Sequence, residues 1–216
     1  MAGSIAGSTF SRNRSGSYAR ARTKPINPKS SRQVLIRSII AQLTQRWNNT
    51  VTDPQRTAWA TYANAVAMKN RLGETTYLSG FNHYIRSNSL KLLATYVPID
   101  DAPTTLSLPE QDPMFAVTMS VGANKISCVF DAGLPWWSLA NSFMAIFMGT
   151  PTIKTRNFFN GPWRFAGVLA PNIASPQTVV PPFTLVTGQK VWVYGRIVEA
   201  NCRVSNPFRD DAIVVV

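Results

Sequence analysis

The chain has 216 residues, 45% of them apolar, and carries 22 Lys and Arg against 10 Asp and Glu, for a net charge of +12. That length and apolar share permit at least one packed core. No apolar run approaches the roughly 18–20 residues of a membrane span, and two cysteines, Cys128 and Cys202, are too few for a disulfide framework or a cysteine-built metal site.

The charge is unevenly placed. Residues 1–95 carry 14 basic and 2 acidic residues, whereas 96–216 carry 8 of each, so the first part holds the whole excess. A basic half beside a neutral one is the footprint of a polyanion-binding or assembly arm next to a folded module.

The stretch "SRNRSGSYARARTKPINPKSSRQ", residues 11–33, contains seven cations and no acid: Arg12, Arg14, Arg20, Arg22, Lys24, Lys29 and Arg32, with the aromatic residues Phe10 and Tyr18 among them. Its apolar area is too small to offset a backbone ordering cost of roughly 1–2 kcal/mol per residue. Residues 1–30 are therefore expected to be an extended basic arm, disordered by itself or ordered by a partner, and spanning roughly 100 Å if fully stretched. Gly3, Gly7, Gly16, Pro25 and Pro28 break the amphipathic helix that a mitochondrial presequence needs, and no apolar signal-peptide core is visible.

Residues 31–96 read as helical. Leu35, Ile39, Leu43 and Trp47 recur every fourth position, with Ile36 and Ile40 beside them, which predicts a helix over about 31–48. "TDPQRTAWATYANAVA" predicts a second helix, with Thr52 as N-cap, Gln55 at the third helical position and Pro54 in the first turn. Trp59, Tyr62, Ala63 and Val66 form its buried face. A third, shorter helix follows Gly73, with Phe81, Tyr84, Ile85 and Leu92 or Leu93 as its apolar positions. So thin a helical core is expected to need a partner.

"VPIDDAPTTLSLPEQDP", residues 97–113, holds four prolines and four acids and reads as a linker. Beyond it the apolar period becomes two, in "FAVTMSV", "KISCVFD", "SFMAIFM", "WRFAGV", "KVWVYGRIVEA" and "AIVVV". Six such runs, with room for a seventh, predict an antiparallel β-sandwich over 114–216. The fold class expected is thus α+β: a basic arm, a small helical hairpin or three-helix region, and a C-terminal sandwich. Cys128 and Cys202 are read as buried small hydrophobes, with one cross-sheet disulfide as the alternative.

"LVTGQKVWVYGRIVEANCRVS", residues 185–205, resembles the penultimate strand and following turn of fibronectin type III and related immunoglobulin-like domains. The order "SRNRSGSYARARTKPINP", Gln33, Arg37, Trp47, "TDPQRTAWATYA", "SGFNHYIRSN" resembles a group of small proteins encoded among the structural genes of tailed bacteriophages. That second resemblance implies a virion structural component and carries over no active-site residue.

Motifs for chemistry are lacking. The single histidine, His83, falls within the third helix, and there is no G-x-S-x-G, P-loop, H-E-x-x-H or C-x-x-C. The acidic pairs Asp100 with Asp101, Glu110 with Asp112 and Asp210 with Asp211 are read as solvated loop charges rather than a cation site. No cofactor or metal is expected. The arm's cations suit either phosphates, with affinity falling steeply with salt, or carboxylates of neighbouring subunits. Trp136 and Trp137 are adjacent and cannot both point inward on one strand, so they are the candidate intersubunit contact. Phe158, Phe159, Trp163 and Phe165 are read mainly as core, with a glycan-binding patch as the alternative.

The resulting expectation is a non-enzymatic virion protein: a minor capsid, cement or connector-region subunit. Its partners would be capsid, portal or tail subunits and other copies related by particle symmetry, with no membrane contact. The alternatives are DNA, organised within the packaged genome by the arm, and a host surface bound through the β-domain.

Overall fold

The computed structural model describes every residue except 1, 2, 14, 15, 24, 25 and 71. It is a mixed α+β chain with antiparallel sheets, divided into two compact units, Met1–Arg37 and Ser38–Val216.

In the first unit the expected extended arm folds back on itself. β1 (Gly3–Ile5), β2 (Ser8–Asn13) and β3 (Gly16–Ala21) form an antiparallel sheet in the order β1-β2-β3. Ala6 turns the chain with a φ of 51°, and Ser4 and Thr9 hydroxyls meet across β1 and β2 at 3.1 Å. These strands are built from small and polar residues, so they carry no alternating apolar signal to read. No described residue of the sheet is buried.

α1 (Ser31–Asn49) starts in the first unit and continues into the second. Ile39 and Leu43 of its stripe enter the core of the second unit and Trp47 packs beside them, while Leu35 and Ile40 stay largely exposed. α2 (Asp53–Ala65) begins as its sequence predicts, with the Thr52 N–H donating to Gln55 Oε1 at 2.9 Å and Pro54 in the first turn. A short hairpin, β4 (Ala67–Lys69) with β5 (Thr75–Tyr77), then leads to α3 (Gly80–Leu93), whose N-cap Ser79 accepts from the Asn82 N–H at 3.2 Å. Trp59, Tyr62 and Tyr84 form the centre of this helical layer, Trp59 meeting Tyr84 edge to face at 5.6 Å. Each such ring contributes about 2 kcal/mol or more by leaving water.

α2 and α3 approach closely at Gly80. A Cβ placed there would lie 2.8 Å from Ala60 N and 2.9 Å from Trp59 C, both backbone atoms that cannot step aside. Gly80→Ala is therefore expected to lower unfolding stability by about 2 kcal/mol, as overpacking does. Urea denaturation checks this; a loss under about 0.5 kcal/mol would show that the helices separate freely.

The remaining strands are β6 (Ala116–Ser120), β7 (Lys125–Val129), β8 (Phe143–Gly149), β9 (Trp163–Leu169), β10 (Gln177–Val179), β11 (Lys190–Val198) and β12 (Phe208–Ile213), with a single-turn helix α4 (Pro135–Ser138) between β7 and β8. They make two antiparallel sheets, ordered β10-β7-β6 and β12-β11-β8-β9. Val117, Met119, Ile126 and Cys128 from the first sheet share one apolar cluster with Met144, Ile146, Val191 and Val193 from the second. The C-terminal segment joins the sheets, since the Val121 N–H donates to Val215 O at 3.0 Å and the Val215 N–H to Met119 O at 3.1 Å.

β8 is buried along its whole length. Met144, Ile146 and Met148 face the cluster between the sheets, while Phe143, Ala145 and Phe147 share a second cluster with Leu90 of α3 and its C-cap residue Ala94. The partner that the thin helical layer needs is thus supplied within the chain. Arg86 of α3 donates to Val204 O and Ser205 O at 2.9 and 3.0 Å, and the buried Lys91 reaches Asn141 O at 3.3 Å. Burial, with the neighbouring Arg196 charge second, pushes the Arg86 guanidinium down to about 10; burial lowers Lys91 also.

Candidate docking site

The register of the first unit assigns its side chains to faces, because residues paired across an antiparallel ladder share one side of the sheet. Phe10 pairs with Ala19, Arg12 with Ser17, and Gly3 with Phe10, so one face carries Ile5, Phe10 and Arg12 beside the small Ser17, Ala19 and Ala21. Thr9 pairs with Arg20 and Ser11 with Tyr18, so the opposite face carries Tyr18 and Arg20. Each face therefore presents an aromatic residue and an arginine two positions apart. Phe10 and Tyr18 are 36% and 40% exposed, enough to offer ring surface to a partner.

The other cations flank this sheet. Arg22 lies just beyond β3 and is exposed, its N–H donating to Gly7 O at 2.7 Å. Lys29 is exposed in the segment before α1, and Arg32 is half-buried in the first turn of α1. Arg14 and Lys24 lie outside the described residues. A contact that composition did not suggest secures the segment leading to the helix: Arg37 Nη1 donates to Asn27 Oδ1 at 3.0 Å. With eight Lys and Arg and no Asp or Glu in residues 1–37, the unit has no internal counter-charge.

No protein-family model matches the chain, and no curated protein matches it in sequence.

The tryptophan pair belongs to the second unit and is arranged differently from its expected placement on a strand. Pro135, suited to the first helical position, opens the single turn α4, and this turn rather than strand alternation sets the two rings. Trp136 is 1% exposed and packs on Phe130 at 5.3 Å, so its ring is core and not an intersubunit surface. Trp137 is half-buried, its indole N–H donating to Ile173 O at 2.9 Å. The other aromatic positions are packed too: Phe159 stacks on Trp192 at 5.4 Å and meets Trp163 edge to face at 4.9 Å, while Phe158 alone of the group is largely exposed.

One member of each acidic pair departs from the solvated-charge reading, while Asp101, Glu110 and Asp211 are exposed. Asp100 takes a two-pronged contact from Arg46, Nε to Oδ1 at 2.7 Å and Nη2 to Oδ2 at 2.8 Å, and Oδ1 accepts from Tyr84 OH at 3.1 Å. This pairing raises Arg46, and burial followed by the Asp100 charge raises Tyr84. Asp112 is buried and accepts from the Met114 and Asp131 N–H groups at 2.8 and 3.0 Å; Asp210 Oδ2 accepts from the Val117 N–H at 2.8 Å. Residues 97–113 are accordingly strapped to the folded unit, with Ile99, Ala102 and Leu108 packed on the helical cluster.

A cleft of about 480 Å³ opens between this strap and β11, lined in part by Leu108, Glu110, Trp136, Glu199 and Arg203. Two of its charged groups pair with each other: Arg203 Nη2 and Nε lie 2.6 and 2.9 Å from Glu199 Oε2, while Glu110 is exposed at the rim. Among the described residues no three His, Cys, Asp or Glu side chains converge as a metal set, and no helix is long and apolar enough to cross a membrane. Cys128 and Cys202 are free thiols in different apolar clusters, each pushed up to about 12 by burial and so unreactive at neutral pH.

Proposed function

We propose that this chain is a non-enzymatic structural subunit of a bacteriophage particle, fastened to neighbouring virion proteins through its N-terminal unit. The observation that carries the reading is a three-stranded sheet with cations and aromatic side chains on both faces and none of its described residues buried. A sheet of that size is marginal in water without a covered apolar face. Covering it with a partner's carboxylates and apolar surface removes both the unpaired charge and the exposed rings, and repetition by particle symmetry multiplies the modest energy of each contact.

In this reading the second unit is the globular module presented by the particle. The strand order, with its first, second and fifth strands in one sheet and its third, fourth, sixth and seventh in the other, supports an immunoglobulin-like sandwich of the fibronectin III kind. Minor capsid, cement and connector-region subunits all meet this description.

Deleting residues 1–30 is expected to abolish incorporation into particles while leaving the second unit folded, judged by unchanged unfolding of residues 38–216. Full incorporation of the truncated chain overturns the reading. Nucleic-acid binding is the second reading, favoured by the spacing of Phe10 with Arg12 and Tyr18 with Arg20, since aromatic rings beside arginines stack on exposed bases. It predicts binding to oligonucleotides that weakens steeply between low and moderate salt.

A further inference from the structure

We propose that the free edge of β3 accepts an added strand from an acidic partner protein, a strand that alternates carboxylate-bearing with larger apolar residues. The proposal rests on the docking reading above and names the chemistry of the docked segment. β3 is the outer strand of the sheet and, at six residues, twice the length of the other outer strand, β1.

The register shows which backbone groups it offers. The Arg22 N–H bonds to Gly7 O, so hydrogen-bonded positions of the β2–β3 ladder recur at every second residue back from 22. Ser17, Ala19 and Ala21 therefore turn their N–H and C=O groups away from β2, toward the free edge. An edge of this kind is a template for pairing, and natural sheets blunt it with proline, a bulge, a covering segment or charged side chains; among the described residues β3 has no proline and an unbroken register with β2, and its charges, Arg20 and the adjacent Arg22, are all positive, so they repel a basic strand and admit an acidic one.

The side chains specify the incoming strand. On one face β3 presents Tyr18 and Arg20, with Arg22 next in the alternation; on the other it presents only Ser17, Ala19 and Ala21, with Phe10 directly across from Ala19. Carboxylates on the added strand opposite Arg20 and Arg22 form charge-assisted pairs, worth more than neutral cross-strand contacts. Larger apolar side chains on its other face fill the ledge over the two alanines and reach toward Phe10. A second copy of this unit is the wrong partner, since each carries eight cations and no acid in residues 1–37. A nucleic-acid backbone lies along one face of a sheet, whereas Arg12 and Arg20 point from opposite faces. Strand addition uses the edge and serves both faces at once.

The test uses the full chain and a fluorescently labelled octapeptide alternating glutamate with valine, with an alternating lysine–valine peptide and a single-stranded thymidine oligonucleotide as comparisons. The glutamate peptide is expected to bind, to raise hydrogen-exchange protection at the Ser17, Ala19 and Ala21 amides at least about tenfold, and to outcompete the oligonucleotide. Arg20→Glu is expected to weaken the glutamate peptide at least about tenfold and to improve binding of the lysine peptide, and Ala19→Pro, which removes an outward N–H, to weaken the glutamate peptide by a similar factor. Protection absent from those three amides, oligonucleotide binding tighter than the peptide, or protection arising from self-association without peptide each overturns the proposal. The exchange measurement on the unaltered chain holds even if Ala19→Pro disturbs the hairpin. If residues 1–30 are required for incorporation yet the edge amides stay unprotected, the edge-strand proposal fails while the docking reading stands.

Discussion

Asp100→Ala is expected to lower the unfolding stability of the second unit by about 3 kcal/mol, equivalent to a fall in Tm of roughly 6–12 °C for a body of this size. Asp100 gathers three elements: Arg46 from α1 and Tyr84 from α3 meet its carboxylate, and Trp59 of α2 donates its indole N–H to the Asp100 carbonyl at 2.8 Å. Removing the carboxylate leaves the fully buried Tyr84 hydroxyl without its acceptor and frees the guanidinium to be hydrated. The second loss dominates little, because Arg46 keeps 35% of its side chain exposed and recovers water, so the orphaned hydroxyl and the lost tie between helices carry most of the cost. Asp101→Ala is the internal comparison. Its carboxylate takes one bond, from Gln55 Nε2 at 2.8 Å, at an exposed site, and its loss is expected to cost under about 0.5 kcal/mol. Urea denaturation of both variants decides the matter; equal costs would show that Asp100 does not organise the helical layer.

Stability is also expected to fall as pH drops from about 6.5 toward 4, through His83. This ring is completely buried on α3, edge to face with Tyr62 at 5.2 Å, and neither of its nitrogens has a hydrogen-bond partner among the described residues. Burial, reinforced by the nearby Arg86 charge, lowers its pKa from the ordinary 6.5 to about 4. The unfolded chain then takes up a proton below 6.5 that the folded chain refuses until about 4. Over that window the unfolded state binds more protons, so stability decreases with falling pH, by at most about 3 kcal/mol, and the contribution levels off below 4. His83→Leu should remove this part of the slope; an unchanged pH profile in that variant would assign the acid sensitivity elsewhere. Asp112, whose pKa is raised by burial, works in the opposite sense near the carboxylate range, so subtracting the variant's profile isolates the histidine.

The two acidic neighbours show where sequence reading stops. Asp100 and Asp101 are indistinguishable by composition, yet one binds a partner 54 residues away in the chain and the other lies at the surface. Trp136 and Trp137 are likewise equivalent until Pro135 starts a helical turn that commits Trp136 to the core. The N-terminal sheet was illegible for a different reason. Its strands carry Gly, Ser, Ala and Arg at most positions, so both the alternation that marks β6 and β7 and the continuous apolar run that marks β8 are missing, and only backbone pairing defines them.

The sequence alone established what depends on local period and composition. The stripe of Ile39, Leu43 and Trp47, the Thr52 and Gln55 helix start, the two-residue period of the β-domain and the confinement of excess cations to the N-terminal part all follow from neighbours within a few positions. Only the tertiary structure decided which carboxylates are solvated, why the thin helical layer stands, and that the arginines of the first unit divide between two faces. These depend on residues far apart in the chain, on β8 being covered from both sides, and on a strand register in which a slip of one residue exchanges every side chain between faces.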